Sequence, residues 1–199
     1  MNRLYKKGLR LEYFMVGYNI IEAVVSVVFG SIAGSIALVG FGLDSVVESL
    51  SGGILIWRLR QHGRISTDEE ERIEKKAIRF VALTFFMLGS YVLFQSVKKL
   101  MGKEIPDPTL PGIIIAFISM IVMPVLAWQK YQIGKEILSR ALIADSKETL
   151  ACAFLSASLF FGLGFNYLFG FWQADSIVGL IIVAFLFKEG IENWKDSKE

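Results

Sequence analysis

The residues of this sequence best suited to chemistry form two pairs of potential metal ligands, each with its members four positions apart. Asp44 and Glu48 are the first pair, and Glu148 and Cys152 are the second. Residues four apart on an α-helix lie on the same face, so each pair can direct two ligands towards one point. Two such pairs on antiparallel helices would supply four ligands, which suits a tetrahedral ion such as Zn²⁺.

The surroundings of these pairs are those of a membrane protein. The chain is 54% hydrophobic, against roughly 45–50% for a typical soluble domain, and its mean hydropathy is +0.53. Asp44 and Glu48 lie within the apolar stretch 40–57. Charged groups near the middle of a bilayer cost about 2.5 kcal/mol or more each. A chain that keeps two of them on one helix face is therefore expected to use them, and cation binding is the obvious use.

The apolar segments that must position these pairs predict an all-α, polytopic membrane protein. Several of them approach the ~20 residues that cross a bilayer as a helix. The six predicted transmembrane helices cover about 12–33, 36–59, 77–97, 113–131, 141–165 and 174–194. They fill almost the whole sequence, so we expect a single transmembrane domain over 1–199 and no soluble domain. In the first span Ser26, Gly30 and Gly34 repeat every four residues, a stripe that allows close approach of another helix.

The distribution of basic residues predicts the orientation. One side would hold both termini, the connection between the second and third spans and the connection between the fourth and fifth spans. It carries 18 Lys and Arg residues, whereas the other side carries only Lys98, Lys99 and Lys103. Lys and Arg accumulate in cytoplasmic loops. Both termini are therefore expected in the cytoplasm, with the protein in the cell membrane.

This orientation brings the two pairs to the same depth. At ~1.5 Å per helical residue, Asp44 lies ~12 Å and Glu48 ~18 Å from the outer end of the second span. Glu148 lies ~10 Å and Cys152 ~16 Å from the inner end of the fifth span. In a hydrocarbon core ~30 Å thick, Asp44 is then level with Cys152, and Glu48 with Glu148. If the two helices face each other, all four side chains lie near mid-membrane.

Further polar residues fall within the spans. Asn19 and Glu22 interrupt the first span and Asp145 lies near the start of the fifth, so we expect them along a cation pathway. Two alternatives stay open. Glu48 and Glu148 can have a structural or proton-only role, beside a water-filled cavity or paired with Lys147 or Asn19. Cys152 can be a small buried apolar residue rather than a ligand.

The stretch 34–48, GSIALVGFGLDSVVE, resembles the second-span signature of the cation diffusion facilitator family. In that signature a Gly-Ser-x-Ala-Leu run leads into an H/D-x-x-x-D pair of metal ligands, and Asp44 and Glu48 fall on the pair. The stretch 141–152, ALIADSKETLAC, resembles the opening of the family's fifth span, which usually places His and Asp four apart. Further likeness follows in the family's order at 91–100, 112–125 and 175–180.

The resemblance implies a transporter that exports divalent cations from the cytoplasm by proton antiport, usually as a homodimer. It places metal ligands at Asp44, Glu48, Glu148 and Cys152. Glu148 stands where the family usually has histidine, and Cys152 where it usually has aspartate. Zn²⁺ is the first expected substrate, and such a donor set also accepts Cd²⁺, Mn²⁺ or Fe²⁺. The family usually continues into a cytoplasmic metal-binding domain, so this chain resembles a short member.

Other function classes fit less well. A net charge of +2 gives no general attraction for nucleic acid, and no prosthetic group is expected. We find no catalytic Ser/His/Asp set, no His-rich metal motif and no glycine-rich phosphate loop, so an enzyme is not expected. The expected partners are the bilayer, divalent cations, protons and a second copy of the chain. The alternative function is a membrane metal sensor or accessory subunit, which would bind an ion at the same site without moving it.

Overall fold

The computed structural model describes residues 3–61, 67–102, 109–171 and 173–197. All regular structure within these ranges is α-helical, as predicted. The six helices are α1 (Arg3–Ala33), α2 (Ile36–Gln61), α3 (Thr67–Gly102), α4 (Leu110–Glu136), α5 (Arg140–Phe169) and α6 (Gln173–Asp196). Each contains the segment predicted for the span of the same number. The charged segment before the third span is helical from Thr67 onwards, so it extends α3.

Membrane insertion is favoured by helix length and composition. Among the described residues, four helical segments are long and apolar enough to cross a bilayer: Leu4–Ala33, Ile36–Arg60, Leu110–Glu136 and Asp145–Phe169. These segments belong to α1, α2, α4 and α5. They include both helices that carry the predicted ligand pairs.

Side-chain burial is reversed relative to a soluble protein. Large apolar residues face outwards, including Ile32, Met87 and Trp128, which are 64–75% exposed. Acidic and amide side chains face inwards, and Asn19 and Glu22 are fully buried. A soluble protein rarely buries such groups, whereas in a bilayer they are expected to face the interior of the helix bundle.

The helices associate as three closely packed pairs, α1 with α2, α4 with α5, and α3 with α6. The first two pairs meet where α1 packs on α4 and α2 packs on α5. The α3–α6 pair lies against this group through α2 and α5. As a result, α2 and α5 each contact the other and also contact α6.

Small residues allow α1 and α2 to approach closely. A Cβ atom added at Gly30 would lie 2.9 Å from the backbone nitrogen of Val39, and one at Gly42 would lie 2.8 Å from the Cβ of Ser26. The predicted packing role of Ser26 and Gly30 is therefore confirmed. Gly34 differs: its φ of +62° is a left-handed conformation that glycine adopts without strain, and it ends α1 instead of packing against a helix.

Candidate metal centre

Two serine caps fix where the ligand-bearing helices begin. The hydroxyl oxygen of Ser35 accepts a hydrogen bond of 3.2 Å from the Leu38 backbone N–H at the start of α2. Ser139 caps α5 in the same way, accepting a 3.3 Å bond from the Leu142 N–H. Such caps satisfy backbone donors that have no partner inside the helix. They place the predicted ligands two to three turns inside their helices.

The structure brings the four predicted ligands to one cavity. This cavity is lined by Asp44, Glu48, Glu148 and Cys152, together with Val47, Ser51, Phe85, Phe185 and Glu189. Its volume is about 10 Å³, close to the smallest space that holds one water molecule. A space of this size can take a dehydrated ion and excludes larger solutes.

The side chains around this cavity are largely withdrawn from solvent. Asp44, Glu48 and Cys152 are at most 6% exposed. The Ser51 hydroxyl donates a hydrogen bond of 3.2 Å to the carboxylate of Glu148. Both carboxylate oxygens of Glu48 are buried and have no hydrogen-bond partner among the described residues. Because a buried polar group without a partner is costly, the Glu48 carboxylate calls for a proton or a cation.

The cavity is not a preformed coordination shell. Within the described part of the chain, no three His, Cys, Asp or Glu side chains are arranged so that they could hold a metal ion. The four predicted ligands therefore share a cavity without converging on one point. Binding an ion here requires side-chain rotation or a small approach of α2 and α5.

The three residues predicted along the pathway lie outside this cavity. Glu22 accepts hydrogen bonds from Ser45 on α2, at 2.8 Å, and from Ser119 on α4. It therefore ties α1 to two neighbouring helices. Asn19, one turn before it, is fully buried, and neither atom of its amide group has a hydrogen-bond partner among the described residues.

Asp145, the third pathway residue, belongs to a buried ion-pair cluster that joins α1, α4 and α5. At its centre is Lys130, which is fully buried and donates a hydrogen bond to the Asp145 carboxylate. The ammonium nitrogen also lies 3.2 Å from a carboxylate oxygen of Glu12 and 3.2 Å from the Thr149 hydroxyl. We call these four residues the Lys130 cluster.

The Lys130 cluster lies one helical turn from the cavity. Asp145 precedes Glu148 by three residues on α5. On α2, a Cβ atom added at Gly52, four residues after Glu48, would lie 3.5 Å from a carboxylate oxygen of Glu12. The 18 basic residues counted for the predicted cytoplasmic side include Lys130, which the structure places inside α4 as a fully buried residue. Without Lys130 that side still carries 17 Lys and Arg residues, against three on the other side.

Glu189 is a cavity residue that the sequence analysis missed. It comes from α6 and is 8% exposed. A signal for it was present, since it continues the buried stripe Val178, Ile182 and Leu186, at spacings of four, four and three residues. Such spacing keeps residues on one helix face, so Glu189 is placed on the inner face of α6.

The sequence-family model of the cation efflux transmembrane domain matches residues 13–199 of the chain. The chain belongs to the cation efflux family. Members of this family are transporters and not enzymes, so the chain is an integral membrane protein of a cation transporter family. The predicted resemblance to the cation diffusion facilitator, or cation efflux, family is confirmed.

Three curated proteins resemble the chain at low identity. Transmembrane protein 163 of Xenopus laevis is 23% identical over 94% of the chain. An uncharacterised transporter of Methanocaldococcus jannaschii is 23% identical over 85% of it, and magnetosome protein MamB of Paramagnetospirillum magneticum is 25% identical over 83%. The matched regions cover 66%, 61% and 57% of these relatives, so the chain spans less than two thirds of their length.

Proposed function

We propose that this cation efflux family member exports a divalent cation from the cytoplasm by proton antiport, with Zn²⁺ as the first candidate substrate. The cation would bind in the cavity between α2 and α5, with Asp44, Glu48, Glu148 and Cys152 as ligands. In this proposal six spans form one transmembrane domain in the cell membrane, with both termini cytoplasmic, and the protein acts as a homodimer.

The observation that carries the proposal is the composition of the cavity wall. Four carboxyl groups and one thiol line a space of about 10 Å³, and none of the described residues that line it is a Lys or an Arg. Ionised carboxylates that are buried close together repel one another, and their burial adds a desolvation cost. Protons or a cation must therefore neutralise them, and the unpartnered carboxylate of Glu48 faces the same requirement.

Exchange of protons for a metal cation in the cavity would produce antiport. A ligand coordinates metal in its deprotonated form, so metal binding releases protons and proton binding expels metal. An inward-open state would accept the cation as its protons leave, and an outward-open state would do the reverse. The small cavity and the absence of three convergent ligands within the described residues are consistent with a closed state between these two.

The proposal is tested by metal flux into proteoliposomes that contain the purified chain. Zn²⁺ is added outside, a pH gradient is imposed, and internal Zn²⁺ is followed with a trapped fluorescent indicator. Wild type is expected to show gradient-dependent uptake, and Asp44→Asn is expected to lose it. Glu69→Gln is the control, because Glu69 is an exposed residue near the start of α3, and it should transport like wild type.

Two results would contradict the transport proposal. Equal uptake by wild type and Asp44→Asn would show that the cavity is not the site. No flux of Zn²⁺, Cd²⁺, Mn²⁺ or Fe²⁺ by a folded wild-type chain that still binds metal would favour the sensor or accessory subunit.

A further inference from the structure

Glu189 lines the cavity from a helix that carries neither predicted ligand pair. The pairs come from α2 and α5, whereas Glu189 comes from α6, which packs against both helices. It lies ~10 Å from the end of α6, counted at ~1.5 Å per residue. Glu148 lies ~12 Å from the start of α5 by the same measure. The two glutamates are therefore at similar depth on helices that contact each other.

Glu189 is buried, whereas the next acidic residue of α6 is exposed. Glu192, three residues on, is 55% exposed and forms a 3.7 Å ion pair with the exposed Lys188. Glu189 is 8% exposed, and Phe185, one turn before it, lines the same cavity. The inner face of α6 thus presents one carboxylate to the cavity, while the outer face keeps its own acidic residue in a surface pair.

A second observation indicates that the cavity takes a ligand. The carboxylate of Glu48 lines it with both oxygens buried and without a hydrogen-bond partner among the described residues. Glu48 is 6% exposed, so water does not satisfy it freely. The addition of Glu189 therefore extends a cavity that already contains an unsatisfied acidic group.

Glu189 changes the chemistry of the donor set. The two predicted pairs supply three carboxylates and one thiol, the number of ligands in a tetrahedral Zn²⁺ site. With Glu189 the wall holds four carboxylates, one thiol and the Ser51 hydroxyl. Carboxylate oxygens suit ions such as Mn²⁺, and higher coordination numbers are characteristic of oxygen-bound ions.

We propose that Glu189 is a fifth metal ligand, supplied by α6, and that it extends the ions accepted by the cavity from Zn²⁺ to oxygen-preferring divalent transition metals such as Mn²⁺. This inference rests on the proposed cation site, because it adds a ligand to that site. Its specific content is that loss of Glu189 weakens Mn²⁺ binding more than Zn²⁺ binding.

The test is equilibrium binding of Mn²⁺ and Zn²⁺ to the purified full-length chain in detergent, by competition with a fluorescent chelator. Wild type, Glu189→Gln, Glu189→Asp, Glu192→Gln and Asp44→Asn are compared after size-exclusion chromatography. Glu189→Gln removes the charge with little change in volume. Glu192→Gln is the matched control on the exposed face of the same helical turn.

Wild type is expected to bind both ions. Glu189→Gln should lose about tenfold or more in Mn²⁺ affinity and less than about threefold in Zn²⁺ affinity, and Glu192→Gln should change neither. Glu189→Asp, which keeps the carboxylate, should retain more Mn²⁺ affinity than Glu189→Gln. If Glu189→Gln does not fold, Glu189→Asp is compared with wild type instead. Its Mn²⁺ affinity should then fall more than its Zn²⁺ affinity.

Unchanged Mn²⁺ affinity in folded Glu189 variants would overturn the inference. Equal losses for the two ions would also overturn it, because a merely structural role affects both. So would a wild-type chain that binds Zn²⁺ and not Mn²⁺. Asp44→Asn separates this failure from that of the proposed site: if it loses both ions while the Glu189 variants lose neither, only the role of Glu189 is refuted.

Discussion

Replacement of Lys130 by methionine should strongly destabilise the protein. Methionine is similar in length to lysine and removes the charge. In the wild type the ammonium is fully buried, lies 3.2 Å from the Glu12 carboxylate and donates to the Asp145 carboxylate. The variant leaves these two acidic groups, from α1 and α5, buried without their cation.

The expected magnitude follows from this burial. Removing one partner of a buried ion pair costs about 3–5 kcal/mol, because an uncompensated charge remains. That is a large part of the ~5–15 kcal/mol that stabilises a typical fold. At about 2–4 °C per kcal/mol for a chain of this size, the melting temperature should fall by about 6–20 °C. Exposed ion pairs contribute only about 0–1 kcal/mol, so Lys188→Met, which breaks the exposed pair with Glu192, should change it little.

The assay is thermal unfolding in detergent, followed by tryptophan fluorescence. A triple variant, Lys130→Met with Glu12→Gln and Asp145→Asn, should recover most of the lost stability, because it removes the unpaired charges as well. A melting temperature of Lys130→Met within about 2 °C of wild type would show that the buried ion pairs contribute little, since a loss of ~3 kcal/mol should shift it further. Failure of the triple variant to recover would show that packing, and not charge, explains the loss.

Three further predictions concern packing, ligand type and pH. Gly42→Ala should lower the free energy of unfolding by about 1–3 kcal/mol, because its Cβ would lie 2.8 Å from that of Ser26. Gly53→Ala should not lower it, because a Cβ atom at Gly53 would have no neighbour within 4 Å. Equal melting temperatures of the Gly42→Ala and Gly53→Ala variants would contradict this prediction. Cys152→Ser should weaken Cd²⁺ binding about tenfold more than Mn²⁺ binding, because soft ions prefer thiolate; chelator competition measures both, and equal losses would argue against a thiolate ligand. Zn²⁺ affinity should fall as pH falls, because metal binding releases protons. Calorimetry in two buffers of different ionisation enthalpy measures that release, and identical heats would rule it out.

The helices and the position of each acidic pair on one helix face could be predicted because both depend on local sequence. Apolar segment length gives the helices, and the spacing of Asp44 with Glu48 follows directly from 3.6 residues per turn. The helical ends agree with local chemistry as well, since Gly34 and Ser35 lie at a turn and a cap. These features need no knowledge of which helices are neighbours.

Features that depend on helix rotation and pairing could not be predicted in the same way. Lys130 follows an apolar run near the end of α4, where a lysine usually reaches water. Its burial is explained only by the partners that α1 and α5 bring to it. Glu189 lies in the cavity because the α3–α6 pair turns that face towards α2 and α5. The contacts of α1 with α2 and α4 place Glu22 in a hydrogen-bonded group with Ser45 and Ser119, outside the cavity.

X-ray absorption at the zinc edge of the Zn²⁺-loaded chain tests whether a divalent cation binds among the side chains of this cavity. One sulfur neighbour at ~2.3 Å and oxygen neighbours at ~2.0–2.2 Å are expected, with the sulfur lost in Cys152→Ser. A shell of nitrogen and oxygen alone that is identical in wild type and Cys152→Ser would place the ion elsewhere and contradict binding in the cavity.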